Sequence, residues 1–382
     1  MSDGQRMQSG PWFVLLFLPF IDVLAEIGVA ASFPQLRALY SSSFKASAVI
    51  SISPFLTVVS GWMWGKLAER FEMRAVMRAA MLGWSAGVIF FGLFLHDFAA
   101  SVLMRGVEGL FASGFAAVPL VGLPRARGGQ RQRTRYYGHL DKAISVGAIS
   151  APVVVGTAFS SSPGITMAVI GGSVLLLALF SGNIDLRRDS AGETHEAGEQ
   201  RPKRGLKARV LVPTVYASAV ALVLGAFETL IPTVGEEYAD SVLFGKLMTT
   251  AFEITVVAGI LLKTRRPGIR PALPLLLAAG LIAGYAAAQL TLAVFILMIS
   301  LGLFIGLQIT MGNEYASHTV RGFEESGMGL YSTLRGSGSF LGPLFMNFGF
   351  PLILPMLAAV SVIAFAFTAV YRRVLPKDRP PD

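Results

Sequence analysis

Cysteine is absent from this sequence, histidine occurs only four times, and charged residues make up only 14% of its 382 positions. Without cysteine there is no disulfide framework and no thiolate metal site. The histidines, His96, His139, His195 and His318, lie at the ends of apolar stretches or between them. None belongs to an H-E-x-x-H pair or to a nucleophile–base arrangement, and no phosphate-cradling glycine loop carries a lysine. An enzyme, a resident metal or cofactor, and ATP as an energy source are therefore not expected. The low charge content also argues against an ordinary soluble domain, which carries roughly a quarter charged residues.

Apolar residues account for 53% of the chain and come in runs separated by short polar loops. A run of about 20 spans the hydrocarbon core of a bilayer as one helix, so the chain reads as an integral membrane protein surrounded by lipid. The first run begins near Pro11, is too long for the core of a signal peptide, and carries Asp22 and Glu26. It reads as a retained first span. Twelve spans are expected, near 12–34, 46–66, 76–95, 98–122, 139–160, 164–184, 209–233, 242–263, 272–289, 291–313, 327–348 and 351–371. A polar stretch at 185–208 mixes Gly, Glu, Lys, Arg and Pro without apolar periodicity and reads as a linker. It divides the chain into a bundle at 1–184 and a second at 209–382.

The formal net charge is +9, but its distribution points to orientation rather than to nucleic acid. Lys66, Arg70 and Arg74 follow span two, five arginines from Arg125 to Arg135 follow span four, and the linker is basic. Lys263, Arg265, Arg266 and Arg270 follow span eight, and the C-terminal tail is basic too. Loops after odd-numbered spans are nearly free of Lys and Arg, and the one after span seven is acidic, with Glu236, Glu237 and Asp240. This alternation predicts cytoplasmic termini, in a bacterial inner membrane.

An internal repeat runs through spans five and eleven. Gly138, Gly147 and Pro152 align without a gap on Gly329, Gly338 and Pro343. The two bundles are thus expected to be parallel repeats of one six-helix unit.

Ionisable residues within the spans are costly, at least about 2.5–3.5 kcal/mol each at the bilayer centre, and normally face a cavity or a partner. Span one has Asp22 and Glu26, span four Arg105 and Glu108, span seven Glu228, span eight Glu253 and span eleven Arg335. Lys142 sits near the end of span five, where it can snorkel. Spans three, six, nine and twelve carry none in their interiors. Asp22 and Glu26 lie one helical turn apart on one face, where two carboxylates do not readily ionise together. Such a pair can carry a proton through a conformational cycle or bind a cationic cargo; the alternative is static pairing with Arg105 or Arg335. Acids outnumber the arginines in this set, so the enclosed space should favour cations and protons.

Three segments resemble signatures of the major facilitator superfamily. Gly65-Lys66-Leu67-Ala68-Glu69-Arg70-Phe71-Glu72-Met73-Arg74 is similar to the loop pattern G-x-L-a-D-r-x-g-r-r, with Glu69 in place of Asp and Glu72 in place of Gly. Arg105-Gly106-Val107-Glu108-Gly109 resembles the span-four pattern R-x-x-q-G, with Glu108 in place of Gln. Gly147-x-x-x-Ala151-Pro152-x-x-Val155-Gly156 resembles the g-x-x-x-G-P-x-x-G-G pattern of proton-coupled exporters, in part. The resemblance implies an all-α fold of twelve spans in two parallel six-helix repeats. It also implies a cavity lined by spans 1, 4, 7 and 10, with 3, 6, 9 and 12 as outer support.

The resemblance further implies a conformational latch at Gly65, Glu69, Arg70 and Arg74, close helix packing at Gly147, Pro152, Gly156, Gly338, Gly342 and Pro343, and a coupling role for Arg105. Glu108 either joins that role or neutralises the arginine locally. The function expected is proton-coupled export of a small organic molecule: an amphipathic cation, a drug, or a secreted metabolite such as a siderophore. The alternative is a proton symporter importing a metabolite or ferric siderophore. The protein should act as a monomer, with the proton gradient as its energy source.

Overall fold

A computed structural model describes residues 9–125, 142–180, 206–265, 296, 298–310, 338–344 and 347. All regular structure among them is helical. In chain order the helices are α1 (Ser9–Ala30), α2 (Phe33–Tyr40), α3 (Ser43–Arg70), α4 (Met73–Leu93) and α5 (Phe98–Arg125). They continue with α6 (Lys142–Ser161), α7 (Pro163–Phe180), α8 (Leu206–Ala239), α9 (Val242–Arg265) and α10 (Met298–Thr310). Residues 338–344 are helical as well. Among the described residues five helices are long and apolar enough to cross a bilayer, or six if α1 and α2 form one bent span. The spans expected at 272–289 and 351–371, Gly138, Gly329, Arg335 and residues 185–205 of the expected linker lie outside the described residues, and the last three linker positions, 206–208, are already the first residues of α8.

The first span is not the straight helix over 12–34 that its apolar run predicts. Helix α1 stops at Ala30, and α2 leaves at 53°. Pro34 supplies the reason, because it has no N–H to offer the Ala30 carbonyl and its ring crowds that carbonyl. The signature loop also differs from the ten-residue turn read from sequence. Helix α3 runs on through Arg70, and the Phe71 N–H still bonds the Leu67 carbonyl at 2.9 Å. The actual turn is Phe71–Glu72, and α4 starts at Met73. Gly65, Glu69 and Arg70 are therefore helical, and Arg74 lies in the first turn of α4.

The repeat between spans five and eleven is visible in packing. A Cβ at Gly147 of α6 would come 2.8 Å from the Phe20 carbonyl of α1, and one at Gly338 would strike the Ser218 carbonyl of α8. Gly342 meets α8 again at Ala226. Span five thus presses on span one as span eleven presses on span seven, the close backbone approach that small residues allow in membranes.

The two halves meet along a seam. On one side of it Ser47 of α3 donates to the Pro343 carbonyl at 2.8 Å, and Phe55 packs edge-on against Phe340 at 5.1 Å. On the other side α6 packs against the first turns of α9. There Pro152 opens a π-turn over Pro152–Gly156 within α6, the local widening expected where a proline removes a ladder donor.

Candidate functional site

Helices α1, α3 and α5, together with residues 338–344, enclose a cavity of about 130 Å³ lined by Asp22, Glu26, Ser53, Thr57, Glu108 and Ser339, with Pro54 and Ala112. Three acids singled out from the sequence thus share one small space. Its other polar groups are hydroxyls, and Thr57 spends its own on the carbonyls of Ser53 and Gly109, at 2.9 and 3.0 Å.

Each acid is held differently. Asp22 Oδ1 accepts a hydrogen bond from Trp84 Nε1 at 2.9 Å. Trp84 is fully buried on α4, so the third span is not merely outer support. Glu108 is paired with Arg105: the guanidinium donates from one nitrogen to both carboxylate oxygens, within α5 and three residues apart. Arg105 also donates from Nε to the Val49 carbonyl at 3.5 Å and lies over the Phe91 ring at 5.5 Å. Both members of the pair are 1% exposed. The arginine's charge is therefore largely spent on its own helix. Glu26 makes no ion pair among the described residues.

In the C-terminal half, Glu228 of α8 interacts electrostatically with Glu253 of α9 and, across the seam, with Glu26. Glu253 is 2% exposed, and its Oε1 has no hydrogen-bond partner among the described residues. Asp22, Glu26, Glu228 and Glu253 thus form one band of carboxyls crossing from one half to the other. Among the described residues no cluster of three or more His, Asp or Glu has metal-ligand geometry.

The remaining candidates fall elsewhere. Gly65, Glu69, Arg70 and Arg74 are at the opposite ends of α3 and α4 from the α1–α2 break, away from the cavity. Gly147 and Gly338 serve helix packing, Pro152 opens the π-turn, and Pro343 offers its carbonyl to Ser47. Gly156 faces Lys246, a residue outside the set of deep charges read from the sequence and only 1% exposed. Two signals in the sequence point to the missed groups. A tryptophan N–H inside a span needs an acceptor, which directs attention to Trp84. A lysine at the end of a span where the loops are otherwise nearly free of Lys and Arg stands against the charge alternation, which singles out Lys246.

Comparison with known proteins places this geometry in context. The sequence profile of the Major Facilitator Superfamily matches residues 15–343. No curated protein sequence matches significantly. Among solved structures, the chain is similar to a bacterial homolog of the human lysosomal transporter Spinster in an inward-facing, occupied conformation, with 19% identity and a TM-score of 0.69, covering 98% of this chain and 99% of that one. It is also similar to a mutant of the nucleoside transporter NupG, with 15% identity and a TM-score of 0.68 over 94% of this chain and 98% of that one. A mutant of the peptide transporter POT in complex with sulfate matches with 16% identity and a TM-score of 0.71 over 95% and 94%.

Proposed function

Because the chain belongs to the major facilitator superfamily and is a membrane transporter, we propose that it exports a small organic molecule, such as an amphipathic cation, a drug or a secreted metabolite, in exchange for protons. Residues 1–184 rock against 209–382 as a monomer in a bacterial inner membrane, with both termini cytoplasmic. The observation that carries this reading is the pairing of Glu108, one of the cavity's lining acids, with Arg105. Arg105 is committed to Glu108, so Asp22 and Glu26 face the cavity without a full counter-charge. Carboxyls so placed are free to exchange a proton for a cation as the halves rock. Glu228 and Glu253 extend the same acidic band into the second half.

The exporter-like segment of α6 supports the direction, since Pro152 and Gly156 lie where α6 packs against α9. In everted membrane vesicles energised to an acidic interior, adding members of a panel of amphipathic cations should release protons only when the protein is present. Uptake by intact cells that rises with external acidity, with no release from everted vesicles, would establish import instead.

A further inference from the structure

Lys246 stands at the end of the seam remote from Ser9, one turn into α9, and the acidic cavity does not use it. A buried ammonium needs acceptors for its three donors. Those it has among the described residues all come from the other half: the Ala31 carbonyl, Gln35 Oε1 at 3.0 Å and, more distantly, Ser32 Oγ at 3.5 Å. The Gln35 amide then donates to Glu236 Oε2 at 3.1 Å. One glutamine of the first half is thereby gripped between a cation and an anion of the second.

The break in the first span explains why a cation fits there. Where α1 ends, Ala31 N–H bonds the Ile27 carbonyl at 2.8 Å, Ser32 Oγ the Gly28 carbonyl at 2.9 Å and Ser32 N–H the Val29 carbonyl at 3.0 Å. The Ala31 carbonyl is left for Lys246, and a cation at a helix C-terminus meets the negative end of its dipole. The stem is accommodated too. A Cβ at Gly156 would come 3.1 Å from Lys246 Cδ and 3.3 Å from Cε, so the glycine that ends the π-turn leaves the groove in which the side chain lies. Ala31 lies five positions after Glu26, about 8 Å of helix rise. The contact therefore crosses the seam about one and a half helical turns along the chain from the acidic cavity.

We infer that Lys246 is a positioning residue of the transport cycle: with Gln35 and Glu236 it bolts this end of the seam, and it must leave the Ala31 carbonyl before the cavity can open there. The inference rests on alternating access for its meaning, but on neither the cargo nor the proton steps. In the open state water takes over as the acceptor of the ammonium, so the bolt is reversible.

The natural absence of cysteine allows a direct test with one reporter. Ser47, fully buried in the same seam, becomes Ser47→Cys, and an impermeant maleimide is applied to right-side-out and everted vesicles without cargo or proton gradient. Lys246→Met should raise the labelling rate from one face about tenfold or more, the equivalent of losing a charge-assisted hydrogen bond. Gln35→Leu should act in the same direction more weakly, and Lys246→Arg least. Gln35→Leu keeps the test open if Lys246→Met does not reach the membrane. Equal labelling of parent and variants in both vesicle orientations overturns the bolt. Because neither cargo nor protons enter the assay, proton coupling can fail while this result stands, and the reverse.

Discussion

Arg105 in the first half and Lys246 in the second are both 1% exposed inside helices of a membrane transporter, yet one finds its partner three residues along its own helix and the other finds it across the seam. The difference concerns motion. In the proposed cycle a pair within α5 moves as a unit and does not bias one rocked state over another. In the same cycle a bond from α9 to the broken end of α1 exists only while that end of the seam is closed. On the proposed reading, buried charge serves once as a fixed pair behind the cavity wall and once as a state-dependent contact.

The largest effect that sharpens this contrast is on stability. Arg105→Leu leaves Glu108 buried and unpaired, which should cost about 3–5 kcal/mol, whereas the double change with Glu108→Leu should recover most of it. Thermal unfolding in detergent measures both. Similar losses for the single and double variants would show that the pair is more than a self-contained unit. Gly156→Val comes next. Its added carbons would crowd the Lys246 stem, at about 1–3 kcal/mol as for other overpacked sites, and should raise Ser47→Cys labelling as Lys246→Met does. Unchanged labelling would separate the glycine from the bolt. The smallest effect is expected for Trp84→Phe, which removes one hydrogen bond to Asp22 at a cost of about 1 kcal/mol and should slow transport without abolishing it.

Some of these features are legible in the amino-acid sequence, and physics explains which. Span positions follow bilayer thickness, so the stretches read at 76–95 and 242–263 correspond to α4 at Met73–Leu93 and α9 at Val242–Arg265. Asp22, Glu26 and Glu108 stand out because a carboxyl in hydrocarbon is costly. Ser53, Thr57 and Ser339 do not, since hydroxyls are at home in membrane helices, where they bond to backbone carbonyls. The bend after Ala30 hides inside an unbroken apolar run, and only Pro34 hints at it. Lys246 sits close enough to a span end to read as a snorkelling side chain. Its burial comes from α1, α2 and α6 closing over it, which no local pattern encodes. The latch expected at Glu69, Arg70 and Arg74 would face the start of span eleven, which lies outside the described residues.

The most direct test of proton exchange at the cavity separates coupling from passage. Wild-type protein and the Asp22→Asn/Glu26→Gln double variant are reconstituted with a cation that the vesicle assay has identified as cargo. Downhill cation-for-cation exchange and uphill, proton-driven accumulation are measured side by side. The account predicts that the double variant keeps exchange and loses accumulation. Accumulation at the wild-type level in the double variant would contradict it.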